Sequence, residues 1–220
     1  MNDTPILATI PGADFAYVAR FISDESVRYY LQGVQVAPLV TGGVTLVATD
    51  GHVLGAMRLQ ATEASATATF ILSAGKDLLR ACKARKSNLH TIVCRPDRVD
   101  VYENYNAEEQ GTPVYTGHKP YVEGPFPDWR KVLPATVSGS RKEAPRGDGT
   151  APTWVGLNPQ LLALFAGFDG PGVSFDWNGD GAILVVNSDP RFLGVIMPMR
   201  AITTDAGILD RRAFVAGGVA

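Results

Sequence analysis

Cysteine is nearly absent: of 220 residues only Cys82 and Cys94 carry thiols. Their spacing matches no zinc motif and supplies no disulfide framework, so they read as reduced thiols of a cytoplasmic chain, with no metal and no cofactor expected. No apolar run approaches the roughly 18 residues of a membrane-spanning helix, and the N-terminus carries no basic-then-apolar leader, so no membrane partner is expected. An excess of either charge is missing too. Twenty Lys/Arg against 22 Asp/Glu leave a formal net charge of −2. That excludes a chain basic all over, but not a nucleic-acid partner, because the distribution of charge matters more than its sum. There is also no G-x-S-x-G to hold a hydrolase nucleophile. What is present is ordinary: 45% hydrophobic and 19% charged residues, enough chain for one large domain or two modest ones.

Periodicity orders the chain. ILATI reads as a strand. GADFAYVARFISDES reads as an amphipathic helix, with Phe15, Val18, Ala19 and Ile22 at i, i+3, i+4 and i+7. YYLQGVQVAP, GVTLVATD, HVLGAMRLQ and FILSA are β-rich. GKDLLRACKARKSN is a second helix with Leu78, Leu79 and Cys82 on its apolar side, followed by HTIVCRP and RVDVYENY as a hairpin around Pro96 and Asp97. The order strand, helix, strands thus occurs twice, which suits an α+β domain of helices on antiparallel sheets. YVEGPFPDWRKVLP is a proline-punctuated connector, and residues 136–152 are small, polar and rich in Gly and Pro, a flexible loop. LNPQLLALFAGFDG is a third helix, capped by Asn158, opened by Pro159 and stopped at Gly170. VSFDW and AILVVNS form a hairpin, and RFLGVIMPMR is the last strand.

Three features suggest chemistry. Asp50-Gly51-His52 sits between apolar runs; Asp-Gly there is foremost a hairpin signal, with both turn positions at positive φ. A hydrolase built from Asp50 and His52 lacks a nucleophile beyond Thr49. DWNGDGAI aligns Asp176, Asn178, Asp180 and Gly181 with a calcium loop, but Asn187 stands at the twelfth position where a bidentate Glu belongs, and its flanks read as strands. Residues 76–86 hold five Lys/Arg and one Asp, a local sum of +4. Lys76, Arg80 and Lys83 recur at i, i+4 and i+7, either a solvated face or a phosphate-tracking surface.

VRYYLQGV, LVATDGHVL, FPDWRKVLP and VIMPMR, in that order and at that spacing, resemble the bacterial sliding clamp, the β subunit of DNA polymerase III. The resemblance implies an α+β clamp fold, with antiparallel sheets outside, paired helices on the inner face, and a propensity to form rings. Residues 1–120 would be a clamp domain like the family's middle domain, 121–152 a connector and loop, 153–200 part of the last domain, and 201–220 a tail. It implies no enzyme but a processivity factor. A homo-oligomer would encircle double-stranded DNA without reading sequence, with Arg20, Lys76, Arg80, Lys83 and Lys86 facing it. A cleft would take short hydrophobic motifs of DNA polymerase and clamp loader. From the hairpin it would receive Thr49, Gly51, His52, Val53 and Leu54; from the connector Pro127, Lys131 and Val132. The last strand would add Val195, Ile196, Met197, Pro198, Met199 and Arg200, the methionines adapting to varied partners and Lys131 and Arg200 serving as polar rim.

The sequence departs from that pattern in several places. It has nothing matching the family's first domain, and residues 136–152 stand where the first half of the last domain belongs. Val53 replaces a usual Arg and Ala201 a usual Leu, and residues 159–168 carry no basic side chain. About one and a half clamp domains per chain would require four chains for a six-domain ring, or three if each chain completes a second domain. The alternative is a module without a ring that binds clamp-binding peptides and competes with the host replication clamp. GILDRRAFV in the tail offers Ile208, Leu209 and Phe214 as a self-ligand for the cleft or a bridge to a neighbouring subunit.

Overall fold

The structure, a computed structural model, describes residues 4–83, 89–107, 111–133, 155–167, 172–177 and 181–199. Within them one unit occurs three times: a strand, a helix, then a three-stranded meander. The first unit is β1 (Ala8–Pro11), α1 (Gly12–Val18), β2 (Gly33–Pro38), β3 (Val44–Thr49) and β4 (Val53–Leu59), trailed by the short β5 (Ser65–Ala66). The second is β6 (Phe70–Ser73), α2 (Lys76–Cys82), β7 (His90–Cys94), β8 (Arg98–Glu103) and β9 (Tyr115–His118). The third is a single bridging residue, Gly156, then α3 (Pro159–Ala163), β10 (Ser174–Asp176), β11 (Ile183–Val186) and β12 (Phe192–Ile196).

The strands form two antiparallel sheets, of order β5-β1-β7-β8-β9 and β10-β11-β12-β4-β3-β2-β6. Each of the first two units lends its opening strand to the other: β1 pairs with β7, and β6 with β2. β12 then lies along β4, from Phe192 opposite Met57 to Ile196 opposite Val53, so the third unit extends the first unit's sheet. Helices α1 and α2 pack side by side over both sheets. They approach closely because Gly12 has no side chain; a Cβ there would sit 3.2 Å from the Cα of Cys82. Phe15, Val18, Leu46, Met57, Leu72, Leu78 and Ile92 fill the core beneath them. This is the α+β arrangement of helices on one side of antiparallel sheets that the sequence pattern implies.

β3 reads as a continuous apolar run, VTLVAT, because both of its faces are covered. Val44, Leu46 and Ala48 face the helices, while Val47 lies under the connector with Trp129. Across the β4–β12 seam Gly55 and Gly194 stand directly opposite one another. A Cβ on either would come within 2.3 Å of an aromatic ring, Phe21 over Gly55 and Phe165 over Gly194. The two bare positions let those rings meet, with centroids 5.1 Å apart.

All three helices are shorter than their periodicity implies. The first tightens into a 3-10 turn at Ala19–Phe21, and Ile22 is extended, which frees the Ser23 amide to donate to the Leu31 carbonyl at 2.9 Å. The second ends at Cys82, with Lys83 in extended backbone. The third begins as expected: Asn158 Oδ1 accepts from the Gln160 amide at 2.9 Å, and Pro159 opens the helix. It stops at Ala163 rather than near Gly170: the amides of Leu164, Phe165 and Ala166 bond three residues back, and the Arg20 guanidinium donates to the carbonyls of Ala163 and Ala166. β9 escaped the sequence reading, being short and interrupted by Gly117. The loop 136–152, the tail 201–220 with GILDRRAFV, and the Asn178–Asp180 part of the calcium-like stretch lie outside the described residues.

Candidate functional site

The Asp50-Gly51-His52 stretch is a turn. The Asp50 amide donates to Val53 O at 3.3 Å, closing a loop whose two central residues are Gly51 and His52. Sequence pattern had put Asp50 and Gly51 there, both at positive φ. Only Gly51 has it, at +95°, and glycine in the first central position with positive φ is what a II′ hairpin needs. Asp50 instead anchors the turn from outside. Its Oδ1 accepts from the amides of His52 (2.7 Å) and Val53 (2.8 Å). Thr49 Oγ1 accepts from the Gly51 amide at 3.0 Å and donates to Val53 O at 2.7 Å. The Asp50 carboxylate thus serves backbone amides, a structural role.

Two further segments come to this hairpin. The Met197 amide donates to His52 O at 2.8 Å, continuing the β12–β4 ladder that sets Val195 opposite Leu54. The connector supplies a 3-10 turn, Trp129–Val132, started where the Trp129 amide donates to Pro127 O at 2.8 Å. These three segments, with residues 28–31 as a fourth, line a pocket of about 180 Å³. From the residues inferred by resemblance it gathers Thr49, Gly51, His52, Val53, Leu54, Pro127, Val132, Val195 and Met197. Val53, Leu54, Val195 and Trp129 are buried around it; His52 and Val132 are exposed at its rim.

Others fall elsewhere. Ile196 is fully buried in the main core, since it alternates with Val195 along β12. Lys131 does not line the pocket; its ammonium lies 3.4 Å from the Asp128 carboxylate on the surface. Pro198 and Met199 leave along another line, Met199 pairing with Gly156 and remaining half-exposed. Arg200 lies outside the described residues.

Five lining residues were not in the inferred set: Arg28, Tyr30, Leu31, Asp128 and Trp129. Leu31, 2% exposed, arrives from the 3-10 turn Tyr29–Leu31. The signal was there, in VRYYLQGV, but irregular backbone between α1 and β2 gives no periodicity from which to read a direction. Arg28 lies over the turn: a Cβ on Gly51 would come 2.6 Å from its Nη1. It pairs with Glu25 at 2.9 Å, and that hydrogen bond holds the Glu25 carboxyl below its ordinary range. The Arg130 guanidinium stacks 4.5 Å from the Trp129 ring, so the indole closes the pocket from the side under a charged cover.

The basic face is narrower than the sequence implied. Lys76 and Arg80 are exposed on α2, Arg80 3.2 Å from Asp77. Lys83 is exposed but past the helix end, which breaks the stripe. Arg20 is turned to its own chain: it caps α3 and lies 5.5 Å from the Tyr17 ring. Lys86 lies outside the described residues. Both cysteines are buried, and burial pushes each thiol up to about 12, so neither offers a thiolate near neutral pH. Among the described residues no group of three or more His, Cys, Asp or Glu is placed to hold a metal ion.

No family model matches the chain. Its sequence is 29% identical over 116 residues to the beta sliding clamp of Caulobacter vibrioides, in strains NA1000 / CB15N and CB 15 alike. That match takes in 51% of this chain, and the chain spans only 29% of the length of these curated relatives. Among solved structures, the DNA polymerase III beta subunit of Thermotoga maritima superposes with a TM-score of 0.63 at 18% identity, covering 90% of this chain and 66% of that one. The DNA polymerase III subunit beta of Pseudomonas aeruginosa gives 0.60 at 20% identity, with 91% and 68% covered. The sliding clamp of Bartonella birtlesii, solved bound to griselimycin, gives 0.60 at 17%, with 91% and 67% covered.

Proposed function

We propose, for a chain that has the sliding clamp fold and a stretch of sequence similar to beta sliding clamps, that it is a processivity factor and not an enzyme. Several copies enclose duplex DNA, and the pocket beside the Gly51-His52 turn holds a short hydrophobic motif of a polymerase or clamp loader. One observation carries the reading. Residues from four segments separated in sequence converge on one apolar pocket with a mixed rim of Arg28, His52 and Asp128. Such a pocket suits one Leu or Phe side chain, whose burial contributes about 1.5–3 kcal/mol. Lys76 and Arg80 face the phosphates, contacts that hold DNA without reading its sequence.

The second reading is a module without a ring, favoured by the third unit, which is a single strand–helix–meander where the first two interlock. Retention on nicked circular DNA, lost after linearisation, separates them, because only a ring depends on topology. For the pocket, fluorescence anisotropy with a labelled peptide ending in Leu and Phe is the direct measurement. Met197→Glu and Val132→Glu are expected to weaken binding at least tenfold by placing a charge at an apolar rim, with the thermal midpoint unchanged. Undiminished binding by both variants would remove the pocket from the proposal.

A further inference from the structure

Concave surface continues past the pocket beside the Gly51-His52 turn. The Trp129 indole lines that pocket and also lines a second hollow, of about 340 Å³. Both lie over the sheet face on which Val47, Leu54, Ala56 and Val195 pack against Trp129. Ala56, Leu133, Val186 and Leu193 give the second hollow an apolar floor, and Arg58 borders it. The strand register sets the spacing. Leu54 faces Val195 at the first pocket, Ala56 faces Leu193 one step further along the same face, and Arg58 lies two residues beyond Ala56 on β4. At about 3.3 Å per residue, the second hollow lies about 7 Å from the first along the strand, and Arg58 about 13 Å.

Charge along this line is one-sided. The carboxylates that line the two hollows are both engaged: Asp128 with Lys131 at 3.4 Å, and Asp189 with Arg191 at 2.8 Å. Arg28 is engaged as well, with Glu25 at 2.9 Å. Arg58 is exposed, and among the described residues no carboxylate lies within ion-pair distance of its guanidinium. Its backbone amide donates to Arg191 O at 2.9 Å, which fixes the strand from which the side chain projects. Arg130, stacked on Trp129 between the hollows, has no carboxylate in that range either. The uncompensated charges beside this face are therefore both cationic, one over the indole and one at the far end. A cation bordering an apolar floor suits a short acidic side chain, whose stem can lie on the floor while its head meets the guanidinium.

We propose that the two hollows form one bipartite groove, and that the second takes an acidic continuation of the peptide anchored in the first. An extended peptide covers 13 Å in about four residues. A Glu or Asp three to four residues from the anchor therefore reaches Arg58, and one nearer the anchor passes Arg130. Arg58 does not hold the anchor; it determines specificity, favouring hydrophobic motifs with an acidic flank over those flanked by Lys or Arg. This inference rests on the peptide reading of the first pocket and adds to it the chemistry of the flank.

The test is fluorescence anisotropy at low salt on the full chain, with labelled peptides that share a Leu-Phe anchor. Each carries a Gly-Ser, Glu-Glu or Lys-Lys pair three to four residues from the anchor, on one flank or the other. Glu-Glu on one flank is expected to tighten binding about twofold to fivefold over Gly-Ser, and Lys-Lys there to weaken it. The gain should shrink as salt is raised. Arg58→Gln is expected to abolish the gain and leave the Gly-Ser peptide's affinity unchanged, since Arg58 is exposed and outside the first pocket. No gain, an equal gain from both flanks, or a gain that survives Arg58→Gln overturns the proposal while leaving the first pocket standing. A Gly-Ser peptide that does not bind at all removes the reading of the first pocket and this inference with it. Two other occupants would also overturn it: a second copy, if Arg58→Gln lowers the particle mass, and the chain's own residues 136–152, if deleting them tightens the Glu-Glu and Gly-Ser peptides alike.

Discussion

At the scale of single residues, the seam between the first and third units depends on what two positions lack. Gly55 and Gly194 lie opposite each other under Phe21 and Phe165, with no room for even one carbon. Gly194→Ala must push the Phe165 ring out of the cluster it forms with Phe21 and Phe192. Overpacking of this kind destabilises by roughly 1–3 kcal/mol. Urea unfolding is expected to show a lower midpoint with an unchanged slope; an unaltered midpoint would mean the ring has somewhere else to go. Nothing in the sequence marks Gly194 or Gly55 as a pair, because their relation exists only once β12 lies on β4. The Asp50-Gly51 turn, by contrast, was legible from composition. Its centre was read one residue early because Asp50 bonds the turn's amides from outside rather than occupying it.

At the scale of elements, Arg191 in the β11–β12 turn ties the third unit to the first. It binds Asp189 at 2.8 Å, Glu63 after β4 at 2.8 Å, and Asp14 of α1 at 3.5 Å. The Arg191 hydrogen bond holds the Asp189 carboxyl below its ordinary range. A carboxyl depressed in the folded chain contributes stability that is present above its unfolded value and is lost as pH falls through the folded one. Asp14 works the other way: burial raises it, so its ionised form is less favoured in the fold. Asp189→Asn is expected to lower stability at neutral pH by about 1 kcal/mol, as for a partly exposed pair. It should also flatten the loss of stability below about pH 4, where an ordinary Asp begins to protonate. Urea midpoints between neutral and acid pH check both; a variant with the parent's acid slope would show that another carboxyl governs it. Periodicity located all three helices but overstated their length, since an apolar stripe cannot show where backbone turns aside to make a tertiary bond. Ile22 keeps helical spacing yet sits in extended chain so that Ser23 can reach Leu31.

At the scale of the molecule, the cleft was expected from a family resemblance rather than from periodicity; nine of the residues it implied line the pocket, and Arg28, Tyr30 and Leu31 add a segment it did not include. The basic face was less legible. A stripe drawn on an ideal helix assumes that the helix continues, and here it stops before Lys83. It also assumes that cations face solvent, whereas Arg20 caps α3. The exposed cations left on α2 for the proposed DNA contact are Lys76 and Arg80, in a chain of net charge −2. Few contacts per chain mean weak attachment with a shallow salt dependence, which is consistent with the proposed retention by enclosure rather than by affinity. Each phosphate neutralised adds about 0.9 to the slope of log affinity against log salt on duplex DNA. Lys76→Glu/Arg80→Glu is therefore expected to cut that slope by about 2 for every chain in contact, equally on unrelated duplex sequences. Particle mass and peptide binding should stay as they were, since both side chains are exposed and far in sequence from the pocket segments. A slope that survives the double substitution would move the DNA-facing surface off α2 altogether.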